Sequence, residues 1–220
     1  SRYEVKKLNG ISHFLEHMFF KGTKKYKNTK EVSEAIDGVG GDFNAFTGKE
    51  YAGYYVKVAD QHGHLALDVL ADMLLHSKFE PAEIDKERGV IMEEYNMYQD
   101  TPMYQIGWDF EKLIYSDQPL GLDQVGTKEV IHGVKQDDFL QYKKELYTAE
   151  NTVISISGNF DSEEVLKQIR QLFVFDGSKK AYHFKPCEKT TVAKQLFLRN
   201  KKTEQAHVVA GFQGYAEQHP

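Results

Sequence analysis

His13, Glu16 and His17 stand at positions i, i+3 and i+4 of the segment His13-Phe14-Leu15-Glu16-His17. On a helix of 3.6 residues per turn these three side chains share one face. Two imidazoles four residues apart can both reach one Zn2+ at about 2.0–2.1 Å, with the carboxylate beside the open coordination position. Zinc lowers the pKa of water to about 7, and a carboxylate so placed can take the proton, which is the chemistry of metal-assisted hydrolysis. Such a site needs a third protein ligand. Glu87, Glu93 and Glu94, in Glu87-Arg88-Gly89-Val90-Ile91-Met92-Glu93-Glu94, are the candidates. Glu87 and Glu94 are seven apart and share a helix face, and Glu93 is turned about 100° from Glu94. The plain alternative is a charged helix face with two ordinary histidines. The apolar setting, with Phe14, Phe19 and Phe20 around the motif, counts against a solvated face.

The other reactive side chains lack such company. His62 and His64 flank Gly63 and read as solvated, and His76, His132, His183, His207 and His219 have no partner at ligand spacing. Cys187 lies in a polar stretch and reads as a free thiol. Lys24, Lys25 and Lys27 read as a solvated loop.

The elements that must position the motif follow from periodicity. Ile11, Phe14, Leu15 and Met18 predict a helix over residues 10–20, and Val32, Ala35 and Ile36 one over 29–39 with Thr29 as its cap. Strands are predicted at 43–47 and 51–58, joined by a hairpin at 48–50. The dense apolar pattern of 61–76 predicts a helix buried on most of its surface. Pro81, followed by Glu83 and Asp85, opens a helix expected to run to about Tyr98. Further helices are expected at 102–115, 135–147 and 162–173, the last capped by Asp161 or Ser162. Thr152-Val153-Ile154-Ser155-Ile156-Ser157-Gly158 reads as a central strand, and shorter strands are expected at 196–198 and 206–212. Strands occurring both as a hairpin and between helix pairs give an α+β class, a two-layer fold with helices packed on one face of a mixed sheet. A polar, basic stretch up to Lys189 divides the chain into an expected domain at 1–188 and the start of a second at 189–220.

Composition narrows the classes of function. The 220 residues are 40% hydrophobic and 28% charged, enough to bury a core, and the net charge of −5 is spread along the chain. No basic stripe speaks for a nucleic-acid partner, and no apolar run nears the roughly 20 residues that cross a bilayer. The opening at Ser1 and the close at Pro220 after a strand-like run read as cut ends, so a targeting segment stays open.

The likeness extends well beyond the five-residue motif. Asn9-Gly10-Ile11-Ser12-His13-Phe14-Leu15-Glu16-His17-Met18-Phe19-Phe20-Lys21-Gly22-Thr23, then Gly41-Asp42-Phe43-Asn44-Ala45-Phe46-Thr47, then Glu87 to Glu94, and finally Pro119-Leu120-Gly121 with Val125-Gly126-Thr127, resemble the pitrilysin family of inverzincin metallopeptidases. That family includes insulin-degrading enzymes, mitochondrial processing peptidase and bacterial relatives, and the bacterial processing-peptidase-like branch is the nearest in flavour. In the family the distal glutamate ligand follows the second histidine after about 76 residues. Here residues 18–93, 76 in number, separate His17 from Glu94, which selects Glu94 over Glu93.

The resemblance implies one Zn2+ per chain on His13, His17 and Glu94, with Glu16 as general base. It makes Glu87 an acid behind the ligands that orients a histidine or aids catalysis. The strand at Asn44, Ala45 and Phe46 is implied as the edge to which an extended peptide adds. The implied activity is that of a zinc endopeptidase on peptides or short unfolded segments. A C-terminal half or second subunit, in a homodimer or heterodimer, would close over the site and bring substrate-touching Arg and Tyr residues. A catalytically silent partner subunit is the alternative, and the four intact key positions weigh against it. The bacterial branch implies a cytoplasmic protein, without nucleic-acid or membrane partners.

Overall fold

In a computed structural model, residues 1–176, 184, 186–188, 196–212 and 214 are described. The expected His183 and His219, and the residues just after the expected boundary at 188, lie outside them. The chain runs α1 (Ile11–Met18), α2 (Thr29–Asp37), β1 (Asp42–Thr47), β2 (Ala52–Lys57), α3 (Gly63–His76), α4 (Pro81–Asp100), α5 (Pro102–Tyr115), α6 (Lys128–Gly133), α7 (Gln136–Leu146) and α8 (Ser162–Leu172).

The motif helix α1 is the axis of the core. Ile11, Phe14, Leu15 and Met18, at one-turn spacing, are each at most 2% exposed, as is Phe19 just beyond. They pack in one cluster with Val32 and Ile36 of α2, Val69 and Met73 of α3, Ile84 and Ile91 of α4, Ile131 of α6 and Phe139 of α7. Aromatic rings lock this arrangement edge to face: Phe14 meets Phe139 at 5.0 Å between centroids, and Phe19 meets Phe79 at 5.7 Å and Tyr54 at 5.2 Å. The helix that carries the histidines is therefore surrounded by packed elements, and its backbone has little freedom to shift.

Its entry is fixed by close backbone approach. Gly10, with φ 93°, and Gly126, also at φ 93°, face one another so closely that a Cβ on Gly10 would lie 2.4 Å from the Val125 carbonyl oxygen. Only glycine combines that φ with that proximity at low cost. The loop 122–126 thus sits directly against the start of α1, and Asn9 Nδ2 donates to the Asp123 carbonyl at 2.7 Å.

β1 and β2 form a two-stranded antiparallel sheet in which Asn44 faces Tyr55 and Ala45 faces Tyr54. Lys49 holds the turn, donating to the Leu122 carbonyl at 2.6 Å and pairing with Glu111 at 3.0 Å. α4 opens with Pro81 at its first position and is fastened to α6 by Arg88, whose guanidinium donates to the Ile131 and Val134 carbonyls.

Elements match their expected spans within a few residues, with four differences. Asn28, not Thr29, caps α2, its side chain accepting from the Glu31 amide at 3.0 Å. α6 was not expected; it is six residues long, too short for periodicity to register. The run 152–158 joins no ladder among the described residues, and Val153 is 93% exposed. The runs 196–198 and 206–212 likewise belong to no described strand. The α+β class holds, with the described sheet an antiparallel hairpin rather than a wider mixed sheet.

Candidate metal centre

α1 and α4 pack together, and their packing brings His13, His17 and Glu94 to one point. His13 Nε2 and His17 Nε2 each lie 3.5 Å from Glu94 Oε2, and one ligand atom from each of the three residues lies within 4.8 Å of the others. A charge-assisted hydrogen bond would close to about 2.7–2.9 Å. Adjacent ligands at about 2.0–2.1 Å from a tetrahedral Zn2+ are, by contrast, about 3.3–3.4 Å apart. The two histidine–Glu94 separations are near that edge length and longer than a direct charge-assisted hydrogen bond, while the separation between the histidines is within 4.8 Å. Two imidazoles and one carboxylate are a zinc donor set, and three protein ligands leave a fourth position open. Glu93, one residue away, is exposed and outside the cluster.

Behind the cluster stands Glu87, 4% exposed. Its Oε1 is 2.9 Å from His17 Nδ1 and its Oε2 is 2.7 Å from Lys21 Nζ. The carboxylate therefore fixes the His17 ring so that Nε2 faces Glu94. Burial works against the Glu87 charge, but His17 and Lys21 outweigh it and hold its pKa below the ordinary value. Burial also opposes a charged His17, yet Glu87 and Glu94 raise it to about 9. Glu94 is strongly lowered, the two histidines overcoming burial. With only protons to share, Glu87, Glu94 and His17 form an ion network, and a divalent cation can take the place of those protons.

Glu16 lies on the same helix, and its Oε2 accepts a hydrogen bond from the Thr47 hydroxyl at the end of β1. That bond ties the carboxylate to the sheet. Among the described residues β1 has a strand partner on one side only. Because the Gly48 amide donates to the Tyr51 carbonyl at 2.8 Å, pairing alternates so that Phe43, Ala45 and Thr47 turn their main-chain groups to the free edge. The Ala45 N–H there donates to Asn44 Oδ1 at 2.8 Å, and the Thr47 carbonyl accepts from Gln124 Nε2. Asn44 and Phe46 are exposed, and Ala45 is half-buried. The expected edge residues thus stand on the strand that ends beside Glu16.

Lys21, Thr47 and Tyr98 were not anticipated. Lys21 lies beyond the end of α1, where helix spacing does not place it. Tyr98, one turn beyond Glu94, is raised to about 12 by burial and by the Glu94 carboxylate, with which it hydrogen-bonds.

A family model described as insulinase (peptidase family M16) matches residues 1–127, and one described as peptidase M16 inactive domain matches residues 133–220. The chain belongs to the peptidase M16 family. Among M16 relatives, an uncharacterized zinc protease of Bacillus subtilis is 43% identical over 97% of this chain and 51% of its own length. A probable mitochondrial-processing peptidase subunit beta of Arabidopsis thaliana is 38% identical over 79% of this chain and 32% of its own. The chain spans about half the length of the first curated relatives it matches. A protease from Helicobacter pylori has a similar fold, with a TM-score of 0.76 at 22% identity over 86% of this chain and 45% of that one. No helix among the described residues is long and apolar enough to cross a membrane.

Proposed function

We propose that this chain is the metal-bearing part of a zinc endopeptidase. His13, His17 and Glu94 would hold the zinc, and Glu87 would orient His17. When bound there, zinc polarises a peptide carbonyl and makes water acidic enough to lose a proton near pH 7. The chain's own part is to place and receive that proton. Glu16 lies on the histidine face of α1 and is steadied by the Thr47 hydroxyl. It takes a proton from the attacking water and returns it to the leaving amine. An extended peptide would add to the free edge of β1, where Ala45 supplies main-chain groups and the Asn44 carboxamide is released from the Ala45 amide. Phe46 would offer an apolar face to the peptide's side chains. Residues 1–188 would carry this apparatus, and the remainder would lead into a second half or partner subunit that closes over it.

The observation that carries this reading is the convergence of His13 Nε2 and His17 Nε2 on Glu94 Oε2 at 3.5 Å each. The names of the relatives, zinc proteases and a mitochondrial-processing peptidase subunit, support it. The test is to compare Glu94→Gln with Glu93→Gln by zinc titration. Glu94→Gln should weaken zinc binding much more, and the reverse order would overturn the ligand assignment.

A further inference from the structure

α1 supplies two of the three converging side chains yet has no side-chain cap of its own. Gly10 occupies its N-cap, so the first amides of the helix depend on a partner from outside. That partner is Glu4, 4% exposed and six residues before the cap. Its Oε2 accepts from the Gly10 N–H at 2.8 Å and from Asn9 Nδ2 at 3.1 Å. Its Oε1 accepts from the Ser12 N–H at 3.0 Å and from the Ser12 hydroxyl. A buried carboxylate with four donors is fully satisfied, and its charge sits at the positive end of the helix.

The two histidines are steadied by different means. His17 has Glu87 on its Nδ1, whereas the buried His13 Nδ1 has no hydrogen-bond partner among the described residues. The His13 ring meets Glu94 at Nε2 and packs edge-on against His17 at 4.8 Å between centroids, but no acid behind its Nδ1 holds it as Glu87 holds His17. Its aim depends on the backbone of the first turn, where residues 10 and 12 are bound to Glu4.

We propose that Glu4 is the positioning residue for His13, holding the first turn of α1 so that Nε2 points at the metal position. It does for His13, through the main chain, what Glu87 does for His17 through the ring. This inference rests on the zinc reading above.

The test is zinc affinity, by competition with a chromophoric chelator, for the full-length wild type, Glu4→Gln, Glu4→Asp and Asp72→Asn. Asp72 is an equally buried carboxylate, 3% exposed, which serves Thr23 and the Lys25 amide instead. Gln keeps the shape of Glu4 but presents a donor to donors, so Glu4→Gln should weaken zinc about 10-fold or more. Glu4→Asp, which keeps the charge, should recover part of the loss. Asp72→Asn should lower the melting temperature of the metal-free protein yet leave zinc affinity within about 2-fold of wild type. In metal-free protein with 15N-labelled histidine, Glu4→Gln should move the His13 ring signals and leave those of His17 in place. If Glu4→Gln is no more than about 2-fold weaker than wild type, in the manner of Asp72→Asn, the positioning role is overturned. If Glu4→Gln does not fold, Glu4→Asp at wild-type affinity with unmoved His13 signals overturns it as well. Wild-type protein that takes up no zinc would instead overturn the metal reading.

Discussion

At the scale of single residues, the division of labour among the acids makes distinct predictions. Glu16 touches Thr47 and no metal-directed atom, so Glu16→Gln should retain zinc and lose about 100-fold or more in peptide hydrolysis. Near-full turnover in that variant would remove Glu16 from the base role. Glu87→Gln, which weakens the hold on His17 Nδ1, should cost about 10–100-fold in zinc affinity, measured by chelator competition. Wild-type affinity would make Glu87 a structural partner of Lys21 only. That His13, Glu16 and His17 share a face was legible from helix geometry alone, whereas Glu94 was singled out from Glu87 and Glu93 only by the family resemblance, and the structure brings it to the two histidines. Thr47 and Glu4 were not legible. Each meets α1 across a turn in the chain, and no local spacing encodes which distant hydroxyl or carboxylate will arrive there.

At the scale of elements, the site depends on how α1 enters the core. Gly10→Ala would force a Cβ to within 2.4 Å of the Val125 carbonyl, at a φ that alanine resists. We predict a loss of about 2 kcal/mol and a fall in melting temperature of about 4–8 °C, read by thermal melts of the metal-free protein. A melting temperature unchanged from wild type would show that the contact between α1 and the loop 122–126 is not tight. Longer helices, such as the densely apolar α3 and the proline-opened α5, were legible close to their true ends. α6 was missed because six residues hold too little of a period. The run 152–158 shows the opposite failure. Its Val and Ile residues state a preference for extended backbone, but a strand also needs a neighbour for its N–H and C=O groups, and the pattern does not name one.

At the scale of the whole molecule, the loop 122–126 joins the motif helix to the sheet: Asp123 supports Asn9, Leu122 holds Lys49, and Gln124 meets Thr47. Burial raises the Asp123 carboxyl to about 6, against favourable contributions from the Val125 amide and Lys49. A carboxyl raised on folding stabilises the fold when protonated. That contribution is present below about pH 4 and lost as pH rises through about 6. Asp123→Asn should therefore stabilise the protein at pH 7 by about 1 kcal/mol, with the gain vanishing near pH 4. Thermal melts across that range that showed no pH-dependent gain would contradict the buried-carboxyl account. The chain spans about half the length of the first curated relatives it matches, and we predict that these 220 residues bind zinc by themselves yet cleave peptides poorly unless a closing second half or partner subunit is supplied. Equal activity with and without such a part would show that closure over the site is not needed. The central claim, a single zinc held by His13, His17 and Glu94, is tested most directly by elemental analysis of the purified full-length protein beside its Glu94→Gln variant. One zinc per wild-type chain, with most of it lost in the variant, is the predicted result; a wild type without zinc, or a variant that keeps its full complement, would contradict it.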